Sequence, residues 1–258
     1  MSLEAASVLF SVSLFLGMLL ALVVGRAVGG RRIREDGEGA RAGVGAVEGA
    51  VFGLMGLLIA FTFSGAAARF DARRELIVTE TNAIGTAWLR IDLLPASAQP
   101  AIRHGFRDYL DSRVAMYRSF SDPVAAKQDF EKSTRLQGEI WALAVAACRE
   151  PGMQQATMLM LPALNEMIDI TTTRAMSTEL HPPRAIFWML FGITLIASLL
   201  AGFGMGGGRS PSWLHMIGFA AVMAISAYVI LDIEYPRHGL IRVDRFDRTL
   251  VDLRATMD

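Results

Sequence analysis

Gly53, Leu57 and Phe61 follow one another at four-residue intervals inside an uncharged run. That spacing stacks them one turn apart on one face of a helix. Where several copies of such a helix surround an axis, rings of Leu and Phe form a hydrophobic constriction that gates by dewetting. The same spacing equally serves a helix that faces lipid or a protein core. Small residues accompany the three: Gly45, Gly49, Gly53, Gly56, Ala60 and Ser64 recur every three or four positions. Small residues let helix backbones approach closely. The pattern fits packing inside one subunit as well as packing around a pore axis.

Three acidic residues flank the apolar runs. Glu48 opens the second of them, and ionisable groups at membrane depth are costly and mark ion pathways. It is a candidate for a pore mouth, with a solvated interfacial residue as the alternative. Asp232 and Glu234 end the fourth run. They could form an acidic ring that attracts cations, pair with Arg69 or Arg73, or sit solvated at the interface. Asn82 suits either a hydrogen bond across subunits or a plain surface position.

Little else in the chain is arranged for chemistry. The histidines, His104, His181, His215 and His238, are far apart and have no metal-ligand spacing. No Gly-rich nucleotide signature and no nucleophile elbow is present. The glycines at 204–208 follow no strand, so they make a turn and not a phosphate cradle. Asp108, Asp111 and Glu131 lie on helix faces beside Arg103, Arg107 and Arg113, the pattern of an ion-paired or solvated surface. A single cysteine, Cys148, excludes an intrachain disulfide. No enzyme activity, cofactor or metal is expected.

The elements that must carry these residues are read from hydropathy. The 258 residues are 53% hydrophobic, with 25 basic and 25 acidic side chains. The mean hydropathy is +0.39. This is more apolar than a soluble domain, and the charge balance gives no basic field for nucleic acid. Runs at 7–24, 44–64, 185–205 and 213–231 each approach the ~20 apolar residues a bilayer-spanning helix needs. The first has no Lys or Arg before it and outruns a signal-peptide core, so it reads as a retained membrane helix. The first pair is joined by a polar link at 25–43 that holds Arg26, Arg31, Arg32, Arg34 and Arg41; the second pair is joined by a Gly-rich turn at 206–212.

Between the pairs lies a block at 65–183 that reads as helical throughout. Apolar residues recur at helical spacing over 69–94 and stop at Pro95. A second helix spans 102–120. Ser121 and Asp122 offer an N-cap ahead of Pro123 for a third, which Pro151-Gly152 breaks. A fourth runs to about 180, interrupted or kinked near Pro162. Two membrane helices on either side put both termini and the block on one side of the membrane. That side carries Arg69, Arg73, Arg74, Arg174, Arg184, Arg237, Arg242 and Arg245 against five linker arginines and Arg209 opposite, which by the positive-inside rule favours the cytoplasm.

The most informative stretch is GLLIAFTFSGAAARFDARREL, where an uncharged helix runs into a charged one with no Pro or turn signal between them. Within it, Ala60, Phe61, Arg69, Phe70, Arg74 and Leu76 fall in register with the pore-helix signature of the bestrophin family. The segment Ile233-Glu234-Tyr235-Pro236-Arg237-His238-Gly239 resembles that family's Ile-Glu-x-Pro-x-Gly, with one extra residue. The chain is most similar to the bacterial bestrophin-like group through Ala60–Ser64, Arg69, Arg73-Arg74, Asn82–Ala87 and Leu89-Arg90. The resemblance implies a homo-oligomer, pentameric, whose second helix lines an axial pore with Phe61, Leu57 and Gly53 at the neck. It implies structural or subunit contacts for Arg69, Arg73, Arg74, Asn82 and Pro236. Gly53 stands where a bulky residue is usual, and Thr62 replaces the Arg after the neck Phe. The acidic calcium cluster of the animal members is not recognisable, so calcium gating does not follow.

The expectation is therefore an all-α integral membrane protein with four transmembrane helices and a helical soluble domain inserted between the second and third. The expected boundaries are 1–64, 65–183, 184–232 and a C-terminal tail at 233–258 packing on the helical domain. Its partners are copies of itself, the lipid bilayer and inorganic ions, in a bacterial inner membrane. The alternative is a non-conducting membrane scaffold or sensor whose soluble helices bind a partner.

Overall fold

A computed structural model describes residues 3–36, 44–119, 122–208, 210–237, 239–243 and 246–257. Ser121, His238, Arg41, Arg209 and Arg245 lie outside the described residues. All regular structure among the described residues is helical: α1 (Leu3–Asp36), α2 (Val44–Arg90), α3 (Gln99–Arg118), α4 (Pro123–Cys148), α5 (Gln154–Glu179), α6 (Arg184–Gly204), α7 (Trp213–Glu234) and α8 (Arg248–Ala255). Single 3-10 turns follow α2 and α6. Four helices are long and apolar enough to cross a membrane. The chain forms two compact units, Met1–Phe70 with His181–Ile241, and Asp71–Leu180 with Arg242–Asp258. Helix α2 contributes to both.

In the first unit, α1 packs on α6 and α7. The approach to α6 is backbone against backbone. A Cβ at Gly25 would run into the Leu199 carbonyl, and one at Gly202 into the Leu22 carbonyl. Small residues are the usual means of close helix approach in a membrane, where lipid tails give no hydrophobic drive for association. These contacts explain a difference from the sequence reading. The Arg-bearing stretch after residue 24 is not an irregular link: α1 continues to Asp36, since Gly25 and Gly29 both face the α6 backbone. Leu14 and Met18 pack with Ala220 and Ala227, flanked by Phe10 and Phe191 at 5.4 Å between ring centroids. Helix α2 joins the unit through Ala66 against Ile230 and Ile233.

The second unit is built like a soluble helical domain. Ile84, Trp88, Phe106, Tyr109, Leu110, Ile140, Met160, Leu164, Met167 and Leu250 form one buried core. The sequence punctuation acts as expected. Asp122 accepts from the amides of Val124 and Ala125 at the start of α4. The Pro151-Gly152 break uses Gly152 at φ +85, which only glycine adopts without strain. Pro162 does not interrupt α5, which runs on to Glu179. Buried Met160, Ala163, Leu164 and Met167 surround it, and their packing outweighs the one lost backbone hydrogen bond. Of the ion-paired or solvated surface expected of it, Arg113 keeps the pairing but not the surface: it is 1% exposed and bound to Glu80.

Candidate pore face and the charges that brace it

Helix α2 leaves one side bare in the first unit. Gly53, Leu57, Phe61 and Ser64 are exposed, Leu57 at 50% and Phe61 at 66%. A Cβ at Gly45, Gly49, Gly53 or Gly56 would meet nothing within 4 Å. The small-residue stripe therefore packs against no other helix of this chain among the described residues. The opposite side holds Met55 and Ala66, both buried. Only 17% of the apolar window of α2 is buried, the smallest share among the four spans. Asn82, further along the same helix, is exposed.

The charged candidates have other surroundings. Glu234 is fully buried, and Arg69 grips it with Nε 3.0 Å from both carboxylate oxygens and Nη2 2.7 Å from Oε2. This fork geometry is the strong form of a charge-assisted hydrogen bond. His181 Nδ1 lies 2.9 Å from Glu234 Oε1, and its ring rests 4.6 Å from that of Tyr235. Of the partners weighed for Glu234, the structure thus holds Arg69. Asp232 is 5% exposed and accepts from the amides of Leu240 at 2.9 Å and Ile241 at 2.8 Å. The turn after α7 is thereby closed on a carboxylate. Gly239 belongs to the same arrangement, because a Cβ there would collide with Asp232 Oδ1. Pro236 is buried as well. The Ile-Glu-x-Pro-x-Gly resemblance has this physical content: an acid that receives Arg69, a buried proline, and a glycine that admits the Asp232 carboxylate.

Glu48 lies on the side of α2 away from Gly53, where a Cβ on Gly204 would be 3.2 Å from its Oε1. That oxygen is buried and has no hydrogen-bond partner among the described residues.

In the second unit, Arg73 is 7% exposed and donates to the Ser177 carbonyl at 3.1 Å and the Leu180 carbonyl at 2.9 Å, tying α2 to the end of α5. Arg74 bonds Asp71 at 2.9 Å and lies over the Phe246 ring. Deeper in, Glu80 receives Arg113 Nε at 2.6 Å, Arg174 Nη1, and the Tyr117 hydroxyl at 3.2 Å. Arg174 also reaches Asp247 at 2.7 Å and covers the Tyr117 ring at 3.8 Å. Two carboxylates, Glu80 and Asp247, thus meet two guanidiniums, as buried charge requires. Burial alone would raise the Glu80 carboxyl, but the guanidiniums of Arg113 and Arg174 outweigh it and hold the carboxyl below its usual value. Burial likewise lowers Arg113, and the neighbouring Tyr117 and Glu80 reverse this to leave it raised. The burial of Tyr109, beside Gln137 and Thr171, raises its phenol.

This network escaped sequence reading. Glu80 meets Arg113 and Arg174 across 33 and 94 residues, and no local spacing signals such a meeting. Among the described residues, no group of three or more His, Cys, Asp or Glu is placed to hold a metal ion.

Residues 11–246 match the model of the bestrophin-like domain. The chain belongs to the bestrophin-like family. Its fold is similar to crystal structures of a bacterial bestrophin homolog from Klebsiella pneumoniae. One, with a Trp-to-Ala mutation, has a TM-score of 0.66 and 15% identity, covering 95% of this bestrophin-like chain and 98% of that one. A second, with an Ile-to-Thr mutation, has a TM-score of 0.65 and 15% identity, covering 94% and 98%. At this identity the likeness establishes the fold. No curated protein matches the sequence.

Proposed function

We propose that this protein is a homo-oligomeric ion channel, pentameric, in a bacterial inner membrane, with the second helix of each subunit lining an axial pore. The observation that carries the reading is the bare face of α2: a stripe of glycines with Leu57 and Phe61 beside it, unpartnered among the described residues. Membership of the bestrophin-like family supports it. In this reading Phe61 and Leu57 form the hydrophobic neck, and Gly53 leaves the third level wide. Copies of the chain cover the glycine stripe, ions pass along the axis, and the surrounding faces meet lipid.

Arg69 and Glu234 brace the base of the pore helix against the end of α7, and Asp232 with Pro236 and Gly239 shapes the turn that follows. Glu234 and Asp232 are committed to these bonds, so the ions meet other groups. Glu48, on the packed side of α2, serves the helix contact at Gly204 and not the lumen. The second unit and both termini are cytoplasmic in this reading, and the bonds of Arg73 and Arg74 hold the lower half of α2 there. Asn82, exposed on that half, faces a neighbouring subunit.

Current across a planar bilayer holding purified protein under asymmetric salt tests the proposal. A reproducible current is expected, and its reversal potential gives the sign of the permeant ion. Well-folded oligomers of wild type and of Phe61→Ala that are both silent would overturn the channel in favour of the scaffold or sensor. A monomer or dimer in detergent would remove the axial pore.

A further inference from the structure

A cleft of about 550 Å³ opens in the first unit between α1 and the turn that joins α6 to α7. Its walls include Val23, Ala27, Trp213 and Met216, with Arg26 and Arg34 at its polar part. The volume falls within the roughly 300–1,000 Å³ of ligand pockets. The two arginines lie two turns apart on one face of α1. Arg26 Nη2 donates to the Gly208 carbonyl at 2.8 Å, and Arg34 Nε to the Gly30 carbonyl at 3.2 Å. Each guanidinium carries five N–H donors, so both retain donors beyond these bonds. Neither is paired with a carboxylate among the described residues.

The level of the cleft is set by hydropathy. Arg26 stands two residues past the end of the apolar run of α1, and Trp213 is the first residue of α7. Trp at a helix end marks the headgroup layer, and Arg there keeps its charge in water while its stem lies along apolar surface. Two forked cations above an apolar wall, at the headgroup level and between membrane helices, match a phosphate with a hydrocarbon tail. We infer that this cleft binds an anionic phospholipid, its phosphate on Arg26 and Arg34 and its acyl portion along Val23, Ala27, Trp213 and Met216. The apolar walls exceed what inorganic phosphate would use, which decides for the lipid. The site is independent of the pore, because it lies on α1 and the α6–α7 turn.

The test is lipid retention by the full chain in detergent, offered phosphatidylglycerol and phosphatidylcholine in equal amounts and read by native mass spectrometry. Wild type is expected to retain phosphatidylglycerol about tenfold over phosphatidylcholine, and the Arg26→Gln/Arg34→Gln variant to lose that preference. Arg34→Gln alone, exposed and bonded, among the described residues, within its own helix, keeps the test decisive if the double variant does not fold; it should lower the preference measurably. An equal preference in wild type and Arg34→Gln would overturn the site. Full displacement of phosphatidylglycerol by millimolar inorganic phosphate would also overturn it, by making a free anion the occupant.

Discussion

The two compact units solve burial in opposite ways. The second gathers Ile, Leu, Met and aromatic residues into a single core, as a chain surrounded by water must. The first leaves Leu9, Leu16, Leu20, Phe61, Trp188, Val222 and Ile225 largely exposed and joins its helices where glycines bring backbones together. Its surroundings are lipid, which gains nothing from hiding leucines and rewards close fit. Charge is treated alike in both: Arg69 with Glu234 in one, Arg113 and Arg174 with Glu80 in the other. The lesson is that apolar exposure reports the solvent, whereas a buried carboxylate demands a partner in either solvent.

The largest break in that comparison should come at Glu80. Glu80→Ala strips buried Arg113 of its carboxylate and leaves Arg174 with Asp247, and a loss of about 3–5 kcal/mol is expected for a broken buried ion pair. Thermal unfolding in detergent measures it, and a loss below that of an exposed substitution would contradict the network. The same residue sets a pH dependence. Its carboxyl lies below the ordinary value when folded, so as pH falls the unfolded chain takes up the proton first. The stabilisation is complete above the ordinary glutamate range and disappears as pH drops through the lowered folded value. Wild type should therefore lose stability in acid more steeply than Glu80→Gln, as stability measured across an acid series would reveal.

Next in size is the glycine seam of the first unit. Gly202→Val pushes a side chain into the Leu22 carbonyl, and about 3 kcal/mol is expected for such overpacking. The protein should melt earlier in detergent, while Gly53→Val, set in open space, should not melt earlier in the isolated chain. Arg69→Gln removes the forked partner of Glu234 and should cost about 2 kcal/mol, in the range for bonds to charged groups; retention of the wild-type melting temperature would show that Glu234 does not depend on Arg69. The smallest stability effect belongs to Phe61→Ala. An exposed side chain should change stability by no more than about 0.5 kcal/mol, yet the variant should raise conductance or loosen gating in single-channel records. Unchanged currents would take Phe61 out of the neck.

Much of the architecture was legible without coordinates. The four apolar runs, Pro95, Asp122 and Pro151-Gly152 mark the helices because hydropathy, proline and capping act over a few residues. The end of α1 was not legible, since Gly25 and Gly29 look like loop formers until α6 is found against them. Arg113 looked like a surface residue for a similar reason. Asp111 and Ser112 precede it on α3, and the carboxylate that receives it, Glu80, comes from α2, 33 residues away.

At the site the division is the same. The residue types alone determined that α2 carries a small-residue stripe with Leu57 and Phe61 one turn apart, because helical periodicity turns spacing into a face. Only the tertiary structure decided that this face stays bare among the described residues, that Glu234 turns inward to Arg69, and that Asp232 closes the turn at Gly239. Those outcomes join groups as far as 165 residues apart. Each depends on which surfaces the packed helices bury, and the local sequence does not encode that choice.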